Sequence, residues 1–109
     1  MATALVEPGS CKLKSKIVVT RKNEERGDYT VQIHIESESD NVKRLAEKLT
    51  EVDGFEECFK KISTSEVYRL SEKVGLHLSC PVPSAILKTI EVECGLNLPQ
   101  DVKMVITRD

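Results

Sequence analysis

A change of hydrophobic period just after Glu36 constrains the fold of this chain more than any other feature. In the stretch "DYTVQIHIES" the apolar residues alternate, with Tyr29, Val31, Ile33 and Ile35 on one side. In the following "SDNVKRLAEKLTEV" they recur at helical spacing instead. A period of two is typical of a strand with one buried face, and a period of about 3.6 of an amphipathic helix. The sequence therefore places a half-buried strand directly before a helix.

A β-hairpin is predicted ahead of that helix. The run from Leu13 to Arg21 is rich in β-branched residues and roughly alternates, with Leu13, Ser15, Ile17 and Val19 on one side. The polar stretch "KNEERGD" separates it from the strand that follows. Two alternating runs around a short polar loop indicate a hairpin with one buried face.

Capping residues predict where four helical segments begin and end. The predicted starts are Ser39 or Asp40, Asp53, Ser63 and Pro83. Gly75 and Gly95 fit the left-handed conformation that ends a helix. The second helix, in "DGFEECFKKI", is predicted to bury an apolar stripe made of Phe55, Cys58, Phe59 and Ile62.

The predicted fold class is α+β, in the order β-β-α-α-α-α-β. The last strand is predicted in "DVKMVITR", where Val102, Met104 and Ile106 alternate with polar residues. The three strands form a small, mostly antiparallel sheet with the helices packed on one face. Residues 1–109 are predicted to form a single domain, with residues 1–10 as a loose tail.

Composition argues against several classes of function. The 109 residues carry a net charge of −2, and aromatic residues make up only 4% with no Trp, which disfavours binding to nucleic acid. No apolar run approaches the roughly 18 residues of a membrane span. The start "MATALVEPGS" lacks the charged and apolar regions of a signal peptide, so a cytoplasmic location is expected. A protein partner or a second copy of the chain stays open.

The four cysteines divide into two pairs. Cys58 and Cys94 lie in apolar stripes at helical spacing, where a free cysteine acts as a small hydrophobe. Cys11 and Cys80 lie beside turn formers, after "PGS" and before "PVP". A reducing compartment disfavours disulfides, so all four are expected as free thiols.

Cys80 is the cysteine with the strongest chemical context. It precedes the predicted fourth helix, whose positive end favours the thiolate, and thiolate is the form that binds metal or attacks electrophiles. His77 stands three residues earlier, a spacing that can let both side chains reach one ion. The alternative is an exposed histidine with Leu76 and Leu78 packing around it.

The strings "CPVPSAILKTIEVECGLNLPQDV", "PGSCKL", "HIESESDNVKRLAEKLTEVD" and "VYRLSEK" together cover most of the chain. They resemble a family of small uncharacterised proteins of anaerobic archaea and bacteria. The resemblance implies a metal or iron–sulfur site made of three loop cysteines and a histidine. Two of these cysteines correspond to Cys11 and Cys80, and the histidine to His77.

This sequence departs from the family pattern at the third cysteine. Ser39 stands in its place, and serine is a poor ligand for zinc or a cluster, so either Asp40, Glu38 or a water molecule completes the set, with Asp40 taken as the ligand here, or the site has been lost. The family glycine and phenylalanine after the first cysteine are also replaced, by Lys12 and Leu13.

Three interpretations follow from these residues. The first is a domain that binds zinc or an iron–sulfur cluster through Cys11, His77, Cys80 and Asp40. The second is a non-catalytic interaction module that uses an exposed helix face or sheet edge, with "CPVPS" as a rigid start to the fourth helix. The third and weakest is a thiol enzyme with Cys80 as nucleophile and His77 as base. Enzymatic activity is not expected, since no substrate pocket, redox CxxC pair or phosphate-binding loop is evident.

Overall fold

The computed structural model describes residues 1–109 as an α+β fold with one four-stranded sheet. The strands are β1 (Ala2–Val6), β2 (Ser15–Arg21), β3 (Thr30–Ser37) and β4 (Glu51–Asp53). The helices are α1 (Asp40–Lys48), α2 (Gly54–Cys58), α3 (Glu66–Lys73) and α4 (Val82–Glu93), with a short 3₁₀ turn at Ile62–Thr64. The sheet is antiparallel throughout, in the order β1-β2-β3-β4.

The predicted hairpin and its buried face are confirmed. Strands β2 and β3 pair with Ile17 opposite Ile35 and Val19 opposite Ile33, and all four side chains are buried. The alternate residues of both strands, such as Gln32, point to solvent. One face of the sheet therefore packs against the helices and the other faces water, as the alternation predicts.

Both ends of the chain differ from the prediction. Residues 2–6, expected as a loose tail, form β1, because Ala2 and Val6 are buried beside β2. The strand predicted in "DVKMVITR" is not formed, and residues 99–109 are exposed and without regular secondary structure. The segment has the pattern of a strand, but no strand of the chain lies beside it. Strand β4, a three-residue partner of β3, is a second strand that was not predicted.

The core lies between the sheet and the helices. It contains the predicted apolar faces of α1, α3 and α4, including the fully buried Leu45, Val67, Ile86 and Ile90. Cys94 belongs to this core and Cys58 packs against it half-buried, so the packing role predicted for both is confirmed.

The apolar stripe predicted for the second helix is wrong. Phe55, Phe59 and Ile62 are exposed, and α2 is only five residues long. The inward side of α2 is taken by Gly54, which lies against α4, and by Glu57, which binds the start of α3. The large apolar residues are therefore left on the outer side.

Most of the predicted caps are present. The Ser39 side chain accepts a hydrogen bond from the Val42 N–H, and the Asp53 side chain one from the Glu56 N–H. The cap of α3 is Ser65 rather than the predicted Ser63, and its hydroxyl accepts from the Tyr68 N–H. Helix α4 begins at Val82, so Pro83 lies in its first turn as expected. None of the helices combines the length and apolar character needed to cross a membrane.

Candidate functional site

One end of the sheet gathers the loops that contain the predicted ligands; we call it the loop end, made of residues 7–14, 38–41 and 74–81. The β1–β2 loop reaches the start of α1, because Lys14 and Glu38 exchange backbone and carboxylate hydrogen bonds of 3.0 and 2.8 Å. The Asn41 side chain donates to the Gly75 carbonyl at 3.2 Å, which ties α1 to the end of α3.

Helix α4 brings Cys80 to the same end. Its last residue Glu93 accepts a hydrogen bond from the Arg21 N–H at 2.8 Å, at the far end of β2. A 12-residue helix rises about 18 Å, close to the length of the seven-residue strand below it. The start of α4 therefore lies at the other end of β2, near Ser15 and the loop end.

The predicted ligands share the loop end without converging on one point. Cys11 and His77 are exposed, Cys80 is half-buried, and the Asp40 carboxylate lies 4.0 Å from the Lys43 ammonium. His77 and Cys80 share one turn, in which the Cys80 N–H donates to the His77 carbonyl at 3.0 Å. No group of three or more His, Cys, Asp or Glu side chains is placed to hold a metal ion. As they stand, these residues do not fit a zinc or cluster site.

The two core cysteines have the chemistry of inert thiols. Burial, with nearby Glu91, Cys94 and Glu57, raises the pKa of Cys58 to about 12. Burial also raises the pKa of Cys94, whose sulfur lies 4.0 Å from the Tyr29 carbonyl oxygen. Both stay protonated at neutral pH, so neither is a nucleophile or a metal ligand in this environment.

A second surface is made of aromatic side chains that the sequence analysis placed in the core. The ring centroids of Tyr29 and Phe55 lie 5.3 Å apart, and those of Phe55 and Phe59 4.8 Å apart. Phe55, Phe59 and the following Ile62 are 45%, 68% and 75% exposed. We call Tyr29, Phe55, Phe59 and Ile62 the aromatic surface.

The side chain of Arg21 extends the aromatic surface. The Arg21 guanidinium lies 5.0 Å from the centroid of the Tyr29 ring, within the range of a cation–π contact. The same guanidinium donates to the Asp28 carbonyl at 2.5 Å, which fixes it against the hairpin loop. An arginine against one ring of a three-ring cluster matches the residue types that are enriched at protein interfaces.

Two buried contacts hold α2 rigidly in place under these rings. Gly54 is so close to α4 that an added Cβ would lie 2.6 Å from the Cys94 sulfur. The buried Glu57 carboxylate accepts from the Ser65 hydroxyl at 2.5 Å and from the Val67 N–H at 3.0 Å. The sequence carries no signal for this arrangement, because the contacts with α4 and with the start of α3 decide which side of α2 faces inward.

Of two concavities of similar volume, one lies in the β1–β2 loop, beside Gly9 and Lys12, and the other lies apart from both surfaces. The latter is an open depression of about 350 Å³ on the solvent face of the sheet, lined mostly by polar residues such as Thr20, Gln32 and His34. Neither Cys80 nor any other cysteine lines it. The thiols and this depression therefore do not combine into one site.

The fold and its surfaces define a small α+β domain with one helix-covered sheet face and an exposed aromatic surface. By sequence, the chain belongs to a family of unknown function, DUF6951, whose model matches residues 2–106. Neither a curated protein nor a solved structure matches the chain.

Proposed function

We propose that this chain is a non-catalytic protein-interaction domain that binds an apolar segment of a partner protein on its aromatic surface. The observation that carries the proposal is the contact of Tyr29, Phe55 and Phe59, of which both Phe side chains are exposed, with the exposed Ile62 three residues further along the chain. The chain has only four aromatic residues, and three of them lie on this one surface. Scattered exposed apolar residues need no explanation, whereas a contiguous group marks a binding site.

Burial of these rings supplies the binding energy. Covering a Phe or Ile side chain that is otherwise exposed is worth roughly 1.5–3 kcal/mol. Aromatic anchors of this kind dominate binding when a partner encloses them, and arginine is often found beside them. Arg21, held against Tyr29, extends the surface toward the hairpin loop.

The rigidity of α2 favours tight binding. Its start is fixed by the contact of Gly54 with α4, and its middle by the bonds from Glu57 to α3. A surface that is already ordered loses little conformational entropy when a partner docks. The arrangement therefore suits recognition better than a mobile loop would.

A Phe55→Ser, Phe59→Ser double variant tests the proposal. Partners captured from a native extract by the wild-type chain and by the variant are compared, and a partner lost from the variant is then purified for calorimetry. We expect the variant to bind at least about tenfold more weakly, with its fold unchanged because both side chains are exposed.

Leu78→Ser is the matched control, since Leu78 is a fully exposed apolar residue at the loop end. It should bind the purified partner as the wild type does. If the double variant binds that partner as tightly as the wild type, the aromatic surface is not the docking site and the proposal fails.

The second candidate function is metal binding at the loop end, with Cys11, His77, Cys80 and Asp40 as ligands for zinc or an iron–sulfur cluster. The observation that favours it is that three separate loops meet at this end, through the contacts of Lys14 with Glu38 and of Asn41 with Gly75. Binding would require the loop side chains to turn toward one another, because their present positions hold no ligand group.

The Ser39→Cys variant tests this candidate by restoring the third thiol at the cap of α1. We expect near-stoichiometric zinc or iron in Ser39→Cys protein purified without oxygen, and its loss when Cys11 and Cys80 are also changed to serine. Ser63→Cys, at an exposed serine beside the other end of α3, is the control and should bind none. A metal-free Ser39→Cys protein would remove the candidate.

A further inference from the structure

The C-terminal segment 101–108 has the sequence of a strand but no partner in its own chain. Its apolar residues Val102, Met104, Val105 and Ile106 are 61–88% exposed. Three of them alternate on one side, so the segment has one apolar face like a strand at the edge of a sheet. All of its residues are exposed, and none is in regular secondary structure.

Strand β1 offers an edge of matching length. It pairs only with β2, so the backbone N–H and C=O groups along its other side have no strand partner. Such an edge is a ready template for an added strand. The other edge, β4, is only three residues long and offers far less pairing.

The helix side of the β1 edge is incompletely covered. Ala4 faces the helices, opposite Ile17, and yet is only half-buried. Helix α4 lies above, and its residues Ala85 and Val92 are also half-buried. Helical geometry places these two on the flank opposite Leu87 and Cys94, which face α2, and so on the β1 side.

We propose that residues 102–106 of one copy add to the free edge of β1 in a second copy, so that the chain forms a strand-exchanged dimer. Residues 102–106 and strand β1 are both five residues long. When Met104 lies opposite Ala4, Val102 and Ile106 also fall on the helix side of the sheet. The small side chains of Ala2 and Ala4 leave space for these larger ones. This register is specific, because a shift of one residue would move Val102, Met104 and Ile106 to the solvent face of the sheet.

A second copy is the occupant because both unpaired elements belong to the same chain. Each copy presents one free strand and one free edge, so exchange between two copies satisfies both at once and closes a twofold symmetric assembly. The segment follows the end of α4, where Glu93 contacts Arg21 at the end of β2. It does not pair with its own β1, whose only strand neighbour is β2.

Sedimentation equilibrium of the full chain tests the dimer. We expect the wild type to have twice the 12.2 kDa chain mass. The Met104→Asp, Ile106→Asp variant should be monomeric, with a dissociation constant raised at least about a hundredfold because two charges would be buried without partners. Its circular dichroism should be unchanged, since both side chains are exposed in the single chain.

Gln100→Asp, Thr107→Asp is the matched control, because it adds the same charge near the two ends of residues 102–106, outside the alternating apolar face. It should remain dimeric. A monomeric wild type, or a dimer that survives Met104→Asp, Ile106→Asp, would overturn the proposal.

Filtered NMR on a mixture of labelled and unlabelled chains places the contact. We expect a nuclear Overhauser effect between the methyl groups of Met104 in one copy and Ala4 in the other. The same contact within one copy, or contact with the aromatic surface instead, would refute the exchange. The Phe55→Ser, Phe59→Ser variant should stay dimeric, so failure of the dimer and failure of the proposed function are separate results.

Discussion

At the scale of single residues, Glu57 is the polar group on which the position of α2 most depends. Its carboxylate is buried and accepts hydrogen bonds from the Ser65 hydroxyl and from the backbone N–H groups of Glu66 and Val67. It thereby satisfies the unpaired donors at the start of α3, and its charge is favourable there because of the helix dipole. One side chain joins the short helix under the aromatic surface to the helix that follows.

Replacing Glu57 with Ala should lower the free energy of unfolding by about 2–4 kcal/mol, because it leaves buried donors without a partner. Urea denaturation of the two proteins measures the difference. Glu56→Ala is the control, since Glu56 is on the exposed side of α2 and should change stability by less than about 0.5 kcal/mol. Equal effects of the two substitutions would show that the cap is unimportant.

Lys12 occupies a backbone conformation that suits glycine. Its φ is 60°, in the left-handed region, where a side chain costs roughly 1–2 kcal/mol. Lys12→Gly should therefore raise the free energy of unfolding by about 0.5–1 kcal/mol, after the entropy that glycine gains in the unfolded chain. Lys16→Gly, within β2, should lower it, and a thermal melt of the two variants distinguishes these directions.

At the scale of elements, the loop of the β2–β3 hairpin depends on one carboxylate. The Thr30 N–H and the Asn23 amide donate to Asp28, and these bonds lower its pKa from 3.8 to about 2. A carboxyl group whose pKa is lower in the folded state stabilises the fold above its unfolded pKa. That contribution is lost as the pH falls through the folded value.

The Asp28→Ala variant should therefore be less stable than the wild type near neutral pH, and the gap should narrow between about pH 4 and pH 2. Denaturation curves across this range measure it. Glu24→Ala, an exposed substitution in the same loop, is the control. A gap that stays constant with pH would contradict the account of the hairpin loop.

The contact between α2 and α4 permits no side chain at Gly54. A Cβ there would lie 2.6 Å from the Cys94 sulfur and 3.0 Å from the Tyr29 carbonyl oxygen, and a backbone oxygen cannot move aside easily. Gly54→Ala should lower the free energy of unfolding by about 1–3 kcal/mol. Adding Cys94→Ala should recover part of the loss, because it removes the nearest atom. No loss in the single variant would mean that the two helices are loosely packed.

Elements with a long and regular pattern were predictable from the sequence. The β2–β3 hairpin, α1, α3 and α4 all follow from alternation, helical spacing and caps such as Ser39 and Gly75. Strand β1 was not predictable, because "ATALV" is short and forms a strand only through its pairing with β2. The stripe of α2 misled the prediction, since its apolar periodicity says nothing about which side of a five-residue helix another element covers.

At the scale of the whole molecule, the predicted metal ligands and the aromatic surface lie on different parts of the fold. The loop end contains Cys11, Ser39, His77 and Cys80, which come from loops distant in sequence. The order and direction of the strands bring these loops to the same end of the sheet. Spacing along the chain predicts the pair His77 and Cys80. It does not show whether a third His, Cys, Asp or Glu side chain is placed beside them, and in the structure none is. The aromatic surface arises from the packing of α2 and the hairpin and has no signature in either segment alone.

Photo-crosslinking in the host cell tests whether the aromatic surface binds a partner protein. A benzophenone amino acid is placed at Phe59, in the aromatic surface, and in a second protein at Leu78, which is fully exposed at the loop end. We predict a discrete crosslinked protein partner at position 59 that is absent at position 78 and absent when Phe55 is also changed to serine. Crosslinks of equal pattern at both positions, or none at position 59, would contradict the claim that this domain acts through its aromatic surface.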